Sequence, residues 1–381
     1  MKKFVVLSGL LAALMFSPAH ADIKIGITLS ATGPAASLGI PEKNTVEFYP
    51  ATIAGQKMEY IVLDDASDTA KAVANTKKFV SEDKVDIIVG SSITPNSLAM
   101  VDIAAEAKTP MISMANSARI VEPQDEKRRW AFKVPQGDSL MADAIAKHMA
   151  TTGIKTIGII GYADPYGEGW LKEMKRATEA NGVKIIGEEK FNRTDTSVTA
   201  QILKLVSLNP DAILVAGSGT PAALPHTTLV ERSYKGKIYQ THGAANNDFL
   251  RVGGKALEKG LLPVGPLLVA EQLDDNHPAK KTALEYIKVY EGKHGAGSRS
   301  GFGGHAWDAM LILQKAIPEA LKKAQPGTAE FRAALRDAIE GVKGLPAAHG
   351  VFNFSATDHA GLADDARVMV TVENGTWKLI K

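Results

Sequence analysis

The sequence contains no cysteine among its 381 residues. This absence excludes disulfide bonds, thiol nucleophiles, cysteine-ligated zinc sites and iron–sulfur clusters. Neither sign of charge dominates, because 44 Lys and Arg residues accompany 42 Asp and Glu residues. A chain with this balance lacks the basic surface that nucleic acids and acidic membranes attract, so we expect neither as a partner.

A long apolar run lies at the N-terminus. Lys2 and Lys3 precede the apolar residues 4–16, and the A-H-A tripeptide that follows matches the small-x-small rule of signal peptidase. The run is shorter than the roughly 20 residues of a transmembrane helix. We therefore predict a signal peptide over residues 1–21, cleaved after Ala21, and export to the periplasm of a Gram-negative cell. The alternative is a buried first helix.

Short apolar runs alternate with helical patterns along most of the chain. Runs 23–29, 58–65 and 85–89 have the continuous apolar character of buried strands, and a helical pattern at 69–83 separates the last two. A second series of the same kind follows a charged segment at 122–138. This alternation predicts an α/β fold with parallel sheets in two domains, with a first crossover at the charged segment.

The last third of the chain has a different pattern. Long helical patterns occupy 279–294, 305–324 and 329–342, and an Asn-Gly turn between two alternating runs near the C-terminus is typical of a β-hairpin. Two prolines in the apolar segment 261–268 indicate a second crossover between the domains.

Three turns of the first domain follow strands and contain small polar residues but no carboxylate. They span 29–39, 91–96 and 113–118, and in a parallel sheet all three lie at the carboxyl edge, where ligands bind. Hydroxyls, backbone N–H groups and helix N-termini at one edge predict a site for an anion such as a carboxylate. The alternative is that the hydroxyls only cap helices, which we expect of Ser91 and Ser92.

Turns of the second domain add an aromatic side chain. Tyr166 precedes two glycines in the turn 162–170, where its ring can project into a cleft between the domains. The sequence GSGTPA at 217–222 resembles a dinucleotide fingerprint. We reject that interpretation because a proline interrupts the motif and no acidic residue follows at the required distance.

Motifs of the common enzyme classes are missing. The sequence contains no G-x-S-x-G nucleophile elbow, no Walker phosphate loop and no histidine pair at zinc-binding spacing. Asp64, Asp65 and Asp68 resemble a metal loop, although a turn that caps a helix from Thr69 explains them better. We therefore predict no enzymatic activity, no catalytic residue, no metal and no cofactor.

Several stretches together resemble the periplasmic leucine/isoleucine/valine-binding protein family, the type I solute-binding proteins of ABC importers. They are ATGPAASLG, YIVLDDASDTAKAVANTKKFV, VDIIVGSS, PMIS and DPYGEGW, and the likeness covers essentially the whole mature chain. The resemblance implies an α/β, two-lobe type I periplasmic binding protein fold, each lobe a parallel-sheet α/β sandwich, with three hinge crossings. It also implies an N-terminal lobe of residues 22–136 and 268–345, a C-terminal lobe of 137–267 and 346–381, a monomer, and an inner-membrane ABC permease as partner.

The resemblance also places eight ligand-binding positions in this sequence: Leu38, Thr94, Ala115, Ser117, Tyr166, Gly219, His242 and Phe302. In the family's arrangement Thr94 takes the ligand carboxylate, and the Ala115 carbonyl and the Ser117 hydroxyl make further polar contacts. Leu38 and Gly219 replace aromatic residues, which predicts a wider cleft with room for a flat ring.

The departure at His242 decides the expected ligand. Amino-acid binders of this family place an acidic residue there to pair with the ligand's α-ammonium, and an imidazole supplies no such counter-charge. We therefore expect a small carboxylate without an α-amino group, with an aromatic acid such as a benzoate or hydroxycinnamate as the first candidate. The alternatives are a branched-chain amino acid, a ligand-sensing periplasmic protein and an exported enzyme, with His242 a solvated histidine at the cleft edge if it touches no ligand.

Overall fold

The computed structural model describes residues 21–380, and the predicted signal peptide lies outside them apart from Ala21. The strands in chain order are β1 Ile23–Leu29, β2 Thr52–Ile53, β3 Gln56–Asp64, β4 Ile87–Gly90, β5 Met111–Ser113, β6 Ala131–Lys133, β7 Thr156–Tyr162, β8 Lys184–Phe191, β9 Ala212–Ala216, β10 Lys237–Gln240, β11 Leu261–Val264, β12 Leu345–Pro346, β13 Val351–Phe352, β14 Val368–Glu373 and β15 Thr376–Leu379. They form a six-stranded sheet in the order β2-β3-β1-β4-β5-β6, a seven-stranded sheet in the order β15-β14-β11-β10-β9-β7-β8, and a separate β12-β13 pair.

Helices connect most of the strands. They are α1 Ala36–Val46, α2 Thr69–Lys78, α3 Thr94–Glu106, α4 Asp138–Thr151, α5 Pro165–Ala180, α6 Thr199–Ser207, α7 Ala223–Glu231, α8 Asn247–Gly253, α9 Lys280–His294, α10 Gly301–Leu321 and α11 Ala329–Glu340. Short 3₁₀ segments, Thr220–Ala222 and His242–Ala244, follow β9 and β10. Between residues 21 and 380, none of the helices has the length and apolar character needed to cross a bilayer.

Parallel pairing dominates both sheets. β1 pairs in parallel with β3 and β4, and β9 pairs in parallel with β7 and β10, so the strands of each sheet end at a common edge. The closing β14–β15 hairpin is antiparallel and joins the second sheet through β11. The α/β fold with two parallel sheets is therefore confirmed, as is the C-terminal hairpin.

The acidic cluster near the end of β3 has a structural role. The Asp68 carboxylate accepts a hydrogen bond of 2.8 Å from the Lys71 backbone N–H and so caps α2. Asp64 accepts a hydrogen bond of 2.6 Å from the Thr32 hydroxyl. Among residues 21–380 no group of three or more histidine or acidic side chains is arranged to hold a metal ion.

Three elements differ from the sequence prediction. α1 begins inside the segment expected to be a turn and contains Pro41, because its Leu38 and Thr45 are buried against the rest of the fold. β6 lies inside the charged crossover segment, where residues 131–136 are buried and Ala131–Lys133 pairs with β5. The segment 261–268 forms β11 before the chain turns, and Pro263 lies within the ladder opposite Met369 of β14, where β10 no longer pairs with β11.

The chain passes three times between the two sheets. It leaves the first sheet after β6, returns after β11 to form α10 and α11, which pack on the core of the first sheet, and goes back to form β14. The three crossings are thus confirmed. Phe352 and Phe354 pack in the core of the first sheet, and the exact lobe boundaries stay a prediction.

A buried carboxylate fixes the turn between β12 and β13 to α10. Asp308 accepts hydrogen bonds from the backbone N–H groups of Ala348, at 2.7 Å, and His349, at 3.2 Å. Its Oδ2 also lies 2.8 Å from Nδ1 of His349. Both side chains are buried, so this contact holds that turn against a helix of the first lobe.

Candidate ligand-binding site

A small cavity of about 20 Å³ lies where the carboxyl edges of the two sheets face each other. Its lining consists of Leu38, Ser92, Ile93, Thr94, Met114, Ala115, Asn116, Pro135, Tyr166, Arg193, Ser218, His242, Gly243, Phe302 and His305. This volume holds about one water molecule, well below the range for small-molecule sites, so a ligand enters only when the walls move apart. Six of the eight predicted positions line this cavity, and the other two, Ser117 and Gly219, lie beside it.

Several polar atoms at the cavity have no partner within the described chain. They are Thr94 Oγ1, Arg193 Nη2, His242 Nδ1 and His305 Nδ1, together with Ser117 Oγ next to the cavity. Buried polar atoms in folded proteins are nearly always hydrogen-bonded, because an unpaired one costs about 1–3 kcal/mol. Their concentration at one cavity indicates a site built to receive polar groups from a ligand.

A larger open groove of about 600 Å³ lies beside β7, β8 and α6. None of the described side chains that line it carries a buried polar atom without a partner. The smaller cavity is therefore the better candidate for a selective ligand site.

The turn after β4 presents Thr94 to the cavity. Ile93 is the N-cap residue of α3, and no side chain caps this helix. Thr94 is 1% exposed at the first helical position, and its hydroxyl has no partner. The free N–H groups of the first turn of α3 and this hydroxyl can together bind an anion.

Ser91 and Ser92 do not cap α3, which corrects the expectation from the sequence. The Ser91 hydroxyl donates a hydrogen bond of 2.6 Å to Asp65 Oδ2, and the Ser92 hydroxyl donates to Glu42 Oε2. Burial raises the pKa of Glu42 well above its usual range. The two serines therefore tie the turn to carboxyl groups beneath it and leave Thr94 as the free hydroxyl.

The turn after β5 carries Ala115, Asn116 and Ser117. Ala115 and Asn116 line the cavity, and the Asn116 amide donates a hydrogen bond to Asp138 Oδ1. Burial raises the pKa of Asp138 to about 7. The Ser117 hydroxyl lies near Gly169 and this carboxyl group, and Ser117 is not among the residues that line the cavity.

Tyr166 lies in the first turn of α5. The Asp164 carboxylate caps this helix by accepting a hydrogen bond of 2.8 Å from the Tyr166 N–H. The phenol oxygen lies 2.6 Å from the Thr241 hydroxyl and donates toward the Gly217 carbonyl at 3.2 Å. Since the hydroxyl is satisfied within the protein, Tyr166 offers its ring to the cavity.

Arg193, which follows β8, was not among the site residues predicted from the sequence. Its Nε donates to Asp164 at 2.8 Å and its Nη1 to the Ser218 hydroxyl at 2.9 Å. The guanidinium stacks over the Tyr162 ring, 4.1 Å from its centroid. A lone basic residue after a strand was the available signal, because that strand ends at the same sheet edge as the predicted site.

Two histidines face the cavity from opposite sheets. His242 is 5% exposed, so the alternative of a solvated histidine is wrong. Burial lowers the pKa of His242 to about 3 and the pKa of His305 well below its usual value, so both rings are neutral. The His242 ring packs 5.7 Å from the centroid of Trp170. No motif in the sequence identified His305, which lies inside α10.

Apolar residues form the remaining wall. Leu38 and Phe302 pack together with Ala35 and Ile93 in a small buried cluster. Gly219 lies outside the cavity, where a Cβ atom would come within 2.9 Å of Leu38 Cδ1. Gly219 thus allows the two lobes to approach each other, and the room for a flat ring beside Leu38 stays a prediction.

This fold and its enclosed polar site define a two-lobed solute-binding protein. Residues 22–376 match the model of the periplasmic binding protein family. The Leu/Ile/Val-binding protein homolog 3 of Brucella melitensis is 23% identical over 349 residues, which cover 90% of this chain and 89% of that protein. The chain therefore belongs to the periplasmic binding protein family, as a type I solute-binding protein of ABC transporters.

Solved structures agree with this assignment. An extracellular ligand-binding receptor from Rhodopseudomonas palustris superimposes with a TM-score of 0.91 at 48% identity, covering 94% of this chain and 99% of that chain. A solute-binding protein of an ABC transporter from R. palustris in complex with benzoate has a TM-score of 0.81 at 18% identity, covering 94% and 96%. The second likeness shows the fold alone.

Proposed function

We propose that this protein binds a small carboxylic acid without an amino group between its two lobes and delivers it to an inner-membrane ABC permease. The first candidate is an aromatic acid such as a benzoate or a hydroxycinnamate. We further propose that the chain is cleaved after Ala21 and acts as a monomer in the periplasm, without enzymatic activity.

The observation that carries the proposal is the polarity of the cavity. No Asp or Glu is among the described residues that line it, and its unpartnered atoms belong to a hydroxyl, a guanidinium and two imidazoles. A buried ammonium without a counter-charge is strongly unfavourable. The lining therefore favours an acid over an amino acid.

Thr94 is the proposed partner of the carboxylate. Its hydroxyl and the N-terminus of α3 supply neutral donors, and a helix N-terminus favours a negative charge. Ala115 and Asn116 border the same part of the site on the next turn. Ser117 is not among the residues that line the cavity, so we assign it to the support of the site.

The walls suit a flat ring. Tyr166, Phe302 and Leu38 line the cavity, and all three are buried. The unpartnered Nδ1 atom of His242 is available to a polar substituent of the ring. In the benzoate complex of the R. palustris neighbour, a protein of this fold holds such an acid.

A branched-chain amino acid is the second candidate, because curated relatives are named Leu/Ile/Val-binding proteins. Asp138 is the carboxyl group next to Asn116 and Ser117, but it is engaged by Asn116 and does not line the cavity. Its raised pKa further disfavours the charged form that an ammonium needs.

Thermal shift and titration calorimetry test the proposal on ligand-stripped mature protein. The panel contains benzoate, hydroxybenzoates, hydroxycinnamates, aliphatic keto acids, leucine, isoleucine and valine. A ligand at a hundred times its Kd adds about 2.7 kcal/mol of stability. We expect a shift only from amine-free acids, and an equal shift from leucine would refute the proposal.

The variant His242→Glu sharpens this test. It places a carboxylate where amino-acid binders have one, so we expect weaker binding of acids and, if anything, a gain for leucine. His242→Gln is the matched control, because it changes the side chain without adding charge. If His242→Glu leaves acid binding unchanged, His242 does not face the ligand.

A further inference from the structure

Arg193 has hydrogen-bonding capacity left over at the cavity. Its Nε and Nη1 are engaged by Asp164 and Ser218, whereas the buried Nη2 has no partner within the described chain. A guanidinium carries two N–H bonds on that nitrogen, and both are free here. The residue lines the cavity from the second lobe, and Thr94 lines it from the first.

The surroundings hold this donor in a fixed direction. Asp164 accepts from Arg193 at 2.8 Å while its other oxygen caps α5. The rings of Tyr162 and Tyr166 lie 4.1 Å and 5.7 Å from the guanidinium carbon. Ion pairing and stacking together fix an arginine fork, so Nη2 is preorganised.

The charge of Arg193 is already balanced, and this decides what the free N–H groups can recognise. Asp164 forms a direct ion pair with it, and both side chains are largely buried. The pair offers oriented N–H donors but little net positive charge. A neutral or weakly acidic oxygen suits such a donor better than a second carboxylate does.

We infer that Arg193 is a specificity-determining residue that recognises a second oxygen, a ring hydroxyl or a related oxygen substituent, on the acid that Thr94 binds by its carboxylate. This inference rests on the proposed function and narrows its ligand class to oxygen-substituted aromatic acids. Thr94 and Arg193 then contact the same ligand from opposite lobes, so the substituent also favours closure.

The test is calorimetry with benzoate and with meta- and para-hydroxybenzoate on wild-type protein and on Arg193→Met. We expect at least one hydroxybenzoate to bind wild-type protein about 10- to 100-fold more tightly than benzoate, the range expected for a hydrogen bond to a charged group. In Arg193→Met this difference should disappear, whatever change in benzoate affinity follows from leaving Asp164 without its partner.

Two further variants control for the loss of charge at Arg193 and for the loss of an arginine elsewhere in the lobe. Arg193→Lys keeps a charge beside Asp164 but loses the fork, and it should fold normally and lose the preference for the hydroxyl. Arg176→Met is the matched control, since Arg176 pairs with Asp143 and Glu173 at the surface of the same lobe. It should change none of the affinities.

The outcomes separate this inference from the proposed function. Equal binding of benzoate and both hydroxybenzoates overturns the inference and leaves the proposed function standing. A preference for a hydroxybenzoate that persists in Arg193→Met also overturns it, because the guanidinium would then not recognise the ring hydroxyl. If no amine-free acid binds to wild-type protein, the proposed function fails, and the inference fails with it.

Discussion

Thr94→Val separates a ligand-binding hydroxyl from a structural one. The substitution keeps the branched shape and removes only a hydroxyl that is 1% exposed and has no partner. A hydrogen bond to a charged group contributes about 1.5–3 kcal/mol, which corresponds to a loss of roughly 10- to 150-fold in affinity for the acid. The ligand-free protein loses no hydrogen bond, so we expect its stability to be unchanged or raised by up to about 1 kcal/mol.

The control for this variant is Thr76→Val. Thr76 is equally buried, but its hydroxyl donates a hydrogen bond of 2.7 Å to the Ala72 carbonyl in α2. It should lose stability and keep its affinity, the reverse of Thr94→Val. Urea unfolding of ligand-free protein and calorimetry with the best acid of the panel give both quantities. An affinity of Thr94→Val within about threefold of wild type would show that Thr94 does not bind the carboxylate.

Three other changes test the β12–β13 turn, the histidines and the lobe contact. Asp308→Asn weakens the contacts to His349 and should lower the free energy of unfolding by about 2–4 kcal/mol in urea titrations; a loss under about 1 kcal/mol would contradict the role given to it. The pKa of His242 is about 3 in the folded protein, whereas an unfolded histidine titrates near 6.5. The unfolded chain therefore takes up this proton first, and stability should fall as the pH decreases from about 6.5 toward 3, by about 1.4 kcal/mol per pH unit. Melting temperatures at neutral and acidic pH should show a shallower slope for His242→Gln, and equal slopes would disprove the assignment. Gly219→Ala forces alanine into a backbone region at φ +65° and ψ −163° that only glycine adopts readily, at a cost of about 1–3 kcal/mol, and brings its Cβ to 2.9 Å from Leu38. Calorimetry and small-angle scattering should show weaker binding and incomplete closure, and unchanged values of both would refute this.

Much of the fold could be predicted because local and global preferences agree. The continuous apolar run of β1 is buried at nearly every position, and the cap on α2 is supplied by a residue next to the helix, Asp68. β6 could not be predicted, since three residues between charged neighbours carry no period and depend on pairing with β5. α1 was missed because Pro41 and the neighbouring glycines are unfavourable in a helix, and packing against the fold overrides them.

The candidate site was likewise predicted only in part. The turn that contains Thr94 was predictable because hydroxyls between a buried strand and a helix lie at the carboxyl edge of a parallel sheet, and the family resemblance singled out Thr94 within that turn. Arg193 was not predictable, because its position at the cavity depends on an ion pair with Asp164, which lies 29 positions earlier in the chain. His305 was not predictable because it lies in an amphipathic helix. The sequence pattern of such a helix does not distinguish a residue that faces a cavity from one that faces the core.

The close approach of the two lobes at Gly219 has a consequence for how the ligand controls this protein. Next to Gly219, the Thr220 N–H donates a hydrogen bond of 3.2 Å to the Ser37 hydroxyl, directly from one lobe to the other. A contact that needs no ligand lowers the free energy of the closed conformation in the empty protein as well. A fraction of the protein molecules is then closed without ligand, and the measured affinity is the intrinsic affinity multiplied by the closed fraction. Strengthening this contact raises the apparent affinity for every ligand alike, whereas the side chains of the cavity set the differences between ligands.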